Sequence, residues 1–196
     1  MMRSRWFLLI LHFKLDFMQE DKSKLVNYAM NSGLFLGLFW VVKYLMVIGG
    51  GQSSVLNSIS SLLSLGTPLL LVYFLVKYKV KLPNNEMGFW HGVQFSILLF
   101  FFASILEAVI VFIHITWVDT AYIGNLYSEM TKTIEAVNLS KKMVESLKNQ
   151  PLPSTINYII SNVVFANIFI GMVLSLIAVP FVNLYYFKNF KSNRTQ

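Results

Sequence analysis

The sequence predicts an all-α, polytopic membrane protein whose four transmembrane helices form two hairpins. Three observations support this class. Hydrophobic residues make up 56% of the 196 residues and charged residues only 13%, whereas soluble domains carry about 25% charged residues. Four apolar stretches are each long enough to cross about 30 Å of hydrocarbon as a helix. Lys and Arg are distributed unevenly between the two sides of the predicted membrane. A soluble helical core is the alternative that these observations disfavour.

The four predicted spans form one membrane domain over residues 25–188. They cover residues of about 26–48, 55–76, 89–117 and 157–185. Pro68 in the second span and Pro180 in the fourth cannot donate a backbone hydrogen bond, so kinks are expected there. Ser64 and Thr67, beside the first of these prolines, would satisfy freed backbone groups or line a groove.

Positive charge predicts which ends of the spans are cytoplasmic. The N-terminal segment 1–24, the link between the second and third spans, and the tail 189–196 are all rich in Lys and Arg. The link Gly49–Ser54 has neither residue type, and the Lys residues of segment 118–153 are matched by acids. The positive-inside rule therefore places both termini in the cytoplasm and segment 118–153 outside it.

Residues 1–17 fit the membrane domain least well. Two Arg residues precede an apolar run, as in a signal peptide, but the run is short and Lys14 and Asp16 interrupt it. A short interfacial helix is one interpretation. The other is that translation begins at Met18, so that residues 1–17 are a mis-annotated start.

Small residues spaced four apart predict where the helices pack closely. Such pairs lie on one face of a helix and allow another backbone to approach. Because the pattern is common in membrane proteins, packing within the chain is favoured over a dedicated dimer interface. The pairs are Gly33 and Gly37 in the first span, Gly92 and Ser96 in the third, and Gly171 and Ser175 in the fourth.

Lys43 and Glu107 are the charged residues that lie well inside the predicted spans. An isolated charge in hydrocarbon is costly, so each needs a partner or access to water. Both lie in the outer half of their spans, and we hypothesise that they form a charge pair. In the alternative, Lys43 extends to the outer interface and Glu107 is protonated or hydrogen-bonded to Asn or Ser. Asn167 is among the polar residues expected to tie helices together.

Segment 118–153 is predicted to contain two short amphipathic helices. Apolar residues recur at helical spacing from Ile123 to Val137 with charged residues between them. Ser140 is a plausible N-cap for the second helix, and Pro151 follows it. These helices would lie on the bundle or on the bilayer, or bind a partner.

The sequence predicts no catalytic, cofactor-binding or metal site. It contains no Cys, no phosphate-binding loop, no zinc-protease motif and no nucleophile elbow. His91 and His114 belong to one span but lie about 35 Å apart along it, too far for one metal. The net charge of +7 flanks apolar helices, which indicates contact with the lipid bilayer rather than nucleic acid.

From Leu25 to about Lys188 the chain resembles a bacterial membrane family known as the domain of unknown function number 4199. The resemblance rests on Asn27-Tyr28 through Gly37, on the loop Glu86-Met-Gly-Phe-Trp-His-Gly92, on Ala103-Ser-Ile105 and on Trp117-Val-Asp119. It implies a four-helix protein of the bacterial inner membrane, with segment 118–153 in the periplasm and a start close to the first span. Because the family has no established activity, it supplies no functional residues.

Two functional hypotheses follow. The first is a non-enzymatic accessory or scaffold protein that associates through its helices with a membrane-protein partner or with copies of itself. The alternative is a small oligomeric transporter or channel in which Glu107 lines a polar path. A continuous polar cavity that reaches Glu107 would favour transport, and a dry, tightly packed bundle would favour association.

Overall fold

The computed structural model describes residues 2–50, 54–136, 142, 145 and 149–192, and this part of the chain is almost entirely helical, without a strand. The α-helices are interrupted or extended by one turn of 3-10 helix at Pro83–Asn85 and by two stretches of π-helix, His114–Val118 and Ile160–Phe165. In chain order the α-helices are α1 (Met2–Gly50), α2 (Ser54–Ser64), α3 (Gly66–Lys79), α4 (Phe89–Ile113), α5 (Tyr122–Ala136), α6 (Thr155–Ile159) and α7 (Ala166–Ser192).

Within the described residues, four helical stretches are long and apolar enough to cross a membrane. They are Lys22–Gly49, Ser58–Lys79, Phe89–Val118 and Thr155–Tyr185. The all-helical class and the four long apolar helices are therefore confirmed. The arrangement in two hairpins, the domain limits and the periplasmic placement of segment 118–153 stay predictions.

The long helices pack in the cyclic order α1, α4, α7 and α2–α3, and α3 also contacts α4 across the bundle. The first and third spans run parallel. Gly33 lies against Leu99, and further along both helices Tyr44 contacts His114. The third and fourth spans run antiparallel, because the early residue Gly92 of α4 meets the late residue Val179 of α7. The bundle therefore closes through contacts between helices that are distant in sequence.

Two apolar clusters form the core of the bundle. The main cluster includes Leu36, Leu71, Phe95 and Leu99, all with no exposed surface. A smaller cluster, at the end of the bundle that contains His114, joins the two π-helical stretches to α5, whose Ile123 is buried in it. Large apolar side chains such as Leu69, Ile177 and Leu184 are more than 70% exposed on the outside of the bundle, where a bilayer would cover them.

The second span is interrupted where the sequence predicted a kink. α2 ends at Ser64 and α3 begins at Gly66, with Leu65 in a turn whose N–H donates to the Leu62 carbonyl over 3.1 Å. Pro68 is the third residue of α3. Pro180 lies within α7, which continues as a helix beyond it.

The two segments outside the predicted spans are also helical where they are described. The backbone of residues 2–21 continues the first span as a single helix, and whether translation begins at Met18 stays untested. α5 coincides with the first predicted amphipathic helix, and its Met130 is exposed. Val137 and the second amphipathic helix, predicted to begin at Ser140, lie outside the described residues.

Candidate functional site: a polar cavity between the spans

A cavity of about 300 Å³ lies where α1, the α2–α3 interruption, α4 and α7 meet. Every residue that lines it belongs to one of the four candidate spans. The apolar part of its wall consists of Trp40, Pro68, Phe100, Ile170 and Leu174, and the polar part consists of Lys43, Ser64, Thr67, Glu107 and Asn167. Half of the lining is thus polar or charged, in a region where the outer surface of the bundle is apolar.

The cavity lies away from the ends of the helices. Counting along the helix axes, Lys43 is about 9 Å from the end of its span at Gly49, and Glu107 is about 16 Å from the end of its span at Val118. Both side chains are half-buried. The structure therefore brings to one cavity the two charged residues that the sequence singled out, although they are more than sixty positions apart in the chain.

Glu107 is held by a hydrogen bond from the opposite helix. The Asn167 side-chain amide donates from Nδ2 to Oε2 of Glu107 over 2.5 Å. The alternative to a charge pair was a hydrogen bond between Glu107 and an Asn or Ser, and this contact is of that type. Direct pairing of Glu107 with Lys43 stays a prediction. An ionised carboxylate offers about four acceptor sites, so Glu107 can accept further hydrogen bonds from a molecule in the cavity.

Trp40 forms the aromatic wall and joins three helices. Its indole N–H donates to Oγ1 of Thr67 over 3.1 Å, and its ring meets the ring of Phe100 edge to face at 5.3 Å. Trp40 is 3% exposed and Phe100 is fully buried. The contacts fix α1 against α3 and α4 beside the two charged residues. The sequence analysis did not select Trp40, because one Trp among many apolar residues of the span carries no signal of its own.

The interruption of the second span lies beside the cavity. Ser64 at the end of α2 and Thr67 in the first turn of α3 both line it. Leu65 between them keeps helical backbone angles, so the interruption is a local kink within one span. Pro68 has no N–H to donate to the Ser64 carbonyl, its usual partner in a continuous helix.

The predicted small-residue positions face neighbouring helices of the same chain. A Cβ atom added to Gly33 or Gly37 would lie within 3 Å of α4, and one added to Gly92 would lie 2.8 Å from Val179. A Cβ atom on Gly171 would lie 2.5 Å from the ring of Phe100, in the cavity wall.

The two Ser residues of these pairs are fully buried. Ser96 Oγ donates to the Gly92 carbonyl over 2.9 Å, and Ser175 Oγ donates to the Met172 carbonyl over 2.6 Å. Each hydroxyl is therefore satisfied within its own helix, and its small size leaves room for the neighbouring helix.

The two His residues of the third span bind Tyr residues at opposite ends of the bundle. His91 Nε2 and the Tyr78 hydroxyl are 2.7 Å apart, and His114 Nδ1 and the Tyr44 hydroxyl are 2.9 Å apart. Neither His lines the cavity. Within the part of the chain that the structure describes, no group of three or more His, Asp or Glu side chains is placed to hold a metal ion.

Comparisons with known proteins identify the family of this chain. No curated protein and no solved structure matches it. The model of one family, described as a protein of unknown function (DUF4199), matches residues 31–183. This match includes all four candidate spans in whole or in large part, together with every residue that lines the cavity. The family is also the one that the sequence resemblance indicated. The chain therefore belongs to the DUF4199 family.

Proposed function

We propose that this protein moves a small polar solute across the membrane through the cavity that contains Lys43 and Glu107. The observation that carries the proposal is the cavity itself: two oppositely charged side chains, an amide and two hydroxyl groups line about 300 Å³ of space between the spans. Binding sites of transporters characteristically lie between spans and beside interrupted helices. The α2–α3 interruption at Leu65 is such a feature.

Energetic reasoning favours transport over a purely structural bundle. Ionisable residues inside a membrane are costly and are retained mainly at substrate or ion pathways. A bundle that served only to associate with a partner could fill the same space with apolar side chains at no such cost. The exposed apolar faces, which would support the association hypothesis, are equally well covered by lipid.

Orientation and location complete the proposal. The distribution of Lys and Arg supports cytoplasmic termini, and we place the protein in the bacterial inner membrane. Exposed apolar side chains on the outside of the bundle leave area for contacts between copies, so a homo-oligomer is compatible with the proposal. We propose no enzymatic activity and no cofactor, and association with a membrane-protein partner stays the second hypothesis.

Cysteine accessibility tests the path directly, because the natural chain contains no Cys. Ser64→Cys places a thiol in the lining of the cavity, at an exposed position, and Leu69→Cys, 71% exposed on the outside of α3, is the matched control. Membrane-impermeant thiosulfonate reagents would be applied to each face of sealed vesicles. Modification requires a thiolate, which forms in water and not in lipid. A path predicts that Ser64→Cys reacts from both faces and that Leu69→Cys reacts from neither.

Two results would contradict this proposal. If Ser64→Cys reacted from neither face, the cavity would be closed to water and the association hypothesis would be favoured. If it reacted from one face alone under all conditions, the cavity would be a pocket and not part of a path. Wild-type protein, which has no thiol, reports any modification of other groups.

A further inference from the structure

We infer that the cavity binds a small α-amino acid with an apolar side chain, in its zwitterionic form. The inference rests on the proposed function and specifies its substrate class. It depends on two properties of the cavity: a pair of opposite charges and an apolar part of the wall. Each property selects one part of such a ligand.

The charges select a ligand that carries both signs. Glu107 and Lys43 line the same space, so the fixed charge of the cavity sums to zero. A simple cation would leave Lys43 without a counter-charge and a simple anion would leave Glu107 without one, and an unmatched charge away from water is costly. A zwitterion satisfies both, with its ammonium group at Glu107 and its carboxylate at Lys43. The hydrogen bond from Asn167 occupies one acceptor position of Glu107 and orients the carboxylate.

The kink in the second span leaves one hydrogen-bond acceptor without its usual donor. Pro68 has no N–H to donate to the Ser64 carbonyl, and both residues line the cavity. An ammonium group has three N–H donors and can use this carbonyl together with Glu107.

The apolar wall and the size of the cavity select the remaining part of the ligand. Trp40, Phe100, Ile170 and Leu174 belong to the apolar part of the cavity wall. These side chains favour an aliphatic or small aromatic group over a sugar or a second charge. A volume of about 300 Å³ lies at the lower end of the range for ligand pockets, which fits a free amino acid and not a lipid.

Ligands that differ by one charged group test the inference on unaltered protein. The full chain, purified in mild detergent, would be heated with millimolar alanine, valine or leucine, and with two analogues of leucine. Isoamylamine retains the amine and isocaproate retains the acid. We expect at least one of the amino acids to raise the unfolding temperature, and neither single-charge analogue to do so. Direct binding of the radiolabelled amino acid would then give the dissociation constant.

Variants locate the binding to the cavity. A hydrogen bond to a charged group contributes enough affinity that Glu107→Gln and Lys43→Met should each weaken binding by about 10- to 100-fold. Glu86→Gln and Lys81→Met remove the same charges from exposed positions outside the cavity and should leave binding unchanged. If a cavity variant does not fold, the analogue series on wild-type protein still decides the question.

Three outcomes would overturn the inference. Isoamylamine that stabilises as well as leucine indicates a cation site, and isocaproate that does so indicates an anion site. No stabilisation by any of the three amino acids excludes this ligand class. In all three cases the transport proposal stands or falls separately, because reaction of Ser64→Cys from both faces requires no knowledge of the ligand.

Discussion

A close approach between two helices of this bundle can be tested with one methyl group. α1 crosses α4 at Gly33, where an added Cβ would lie 2.6 Å from Cβ of Phe102 and 2.9 Å from the carbonyl oxygen of Leu99. Neither atom can move by side-chain rotation, because one is a Cβ and the other belongs to the backbone. Gly33→Ala therefore requires the two helices to separate by several tenths of an ångström along the most extensive helix contact of the protein.

The size of the effect follows from two opposing contributions. Overpacking a well-filled interface costs about 1–3 kcal/mol, whereas replacing Gly by Ala within a helix contributes about 0.5–1 kcal/mol of stability. Gly49→Ala is the matched control, because it lies on the same helix and its added Cβ would meet no atom within 4 Å. We expect Gly33→Ala to be less stable than Gly49→Ala by about 1–3 kcal/mol.

Reversible unfolding of the purified protein in mixed detergent micelles would measure this difference. Equal stability of the two variants would refute the packing argument, because it would mean that α1 does not touch α4 at Gly33. The apparent mass of the protein–detergent complex should be the same for both variants. A change of oligomeric state in Gly33→Ala alone would instead indicate that this face binds a second copy, as in a dimer motif.

Two further perturbations address the polar contacts inside the bundle. If Lys43 and Glu107 interact, the change in unfolding free energy in the Lys43→Met, Glu107→Gln double variant should differ from the sum of the two single changes by more than about 0.5 kcal/mol. Changes that add up would exclude a charge pair. At one end of the bundle, Tyr44→Phe removes the hydrogen bond to His114 and should cost about 0.5–1.5 kcal/mol in thermal unfolding. Tyr73→Phe is its control, since this Tyr is 53% exposed, and a loss as large in the control would refute a specific role for the bond.

The four long apolar helices were predictable because the hydropathy of successive residues can be summed along the chain. A helix that crosses lipid must be apolar for about 20 residues. The apolar windows that meet this condition in the sequence coincide with the four candidate spans of the structure. Lys43 and Glu107 were also identifiable, because a charge stands out against such a background. The prolines and the small-residue pairs carried local meaning for the same reason, since each changes the geometry of its own helix.

The composition of the cavity was not predictable in the same way. In a soluble protein, the polar side of a helix shows which face is turned to the interior. α4 and α7 are almost equally apolar around their circumference, because lipid and protein interior both favour apolar side chains. The rotation of each helix about its axis therefore leaves little trace in the pattern of residues. The two π-helical stretches shift this rotation further and have no simple sequence signature.

The sequence by itself determined the all-helical class, the four long apolar helices and the two charges that lie within them. Only the tertiary structure decided that Glu107 meets Asn167, that Trp40 bridges to Thr67, and that Lys43 shares a cavity with Glu107. The physical reason is the difference between a one-dimensional and a three-dimensional constraint. Crossing a bilayer depends on composition along one helix, whereas a site between helices depends on their relative rotation and register, which packing contacts distant in the chain establish.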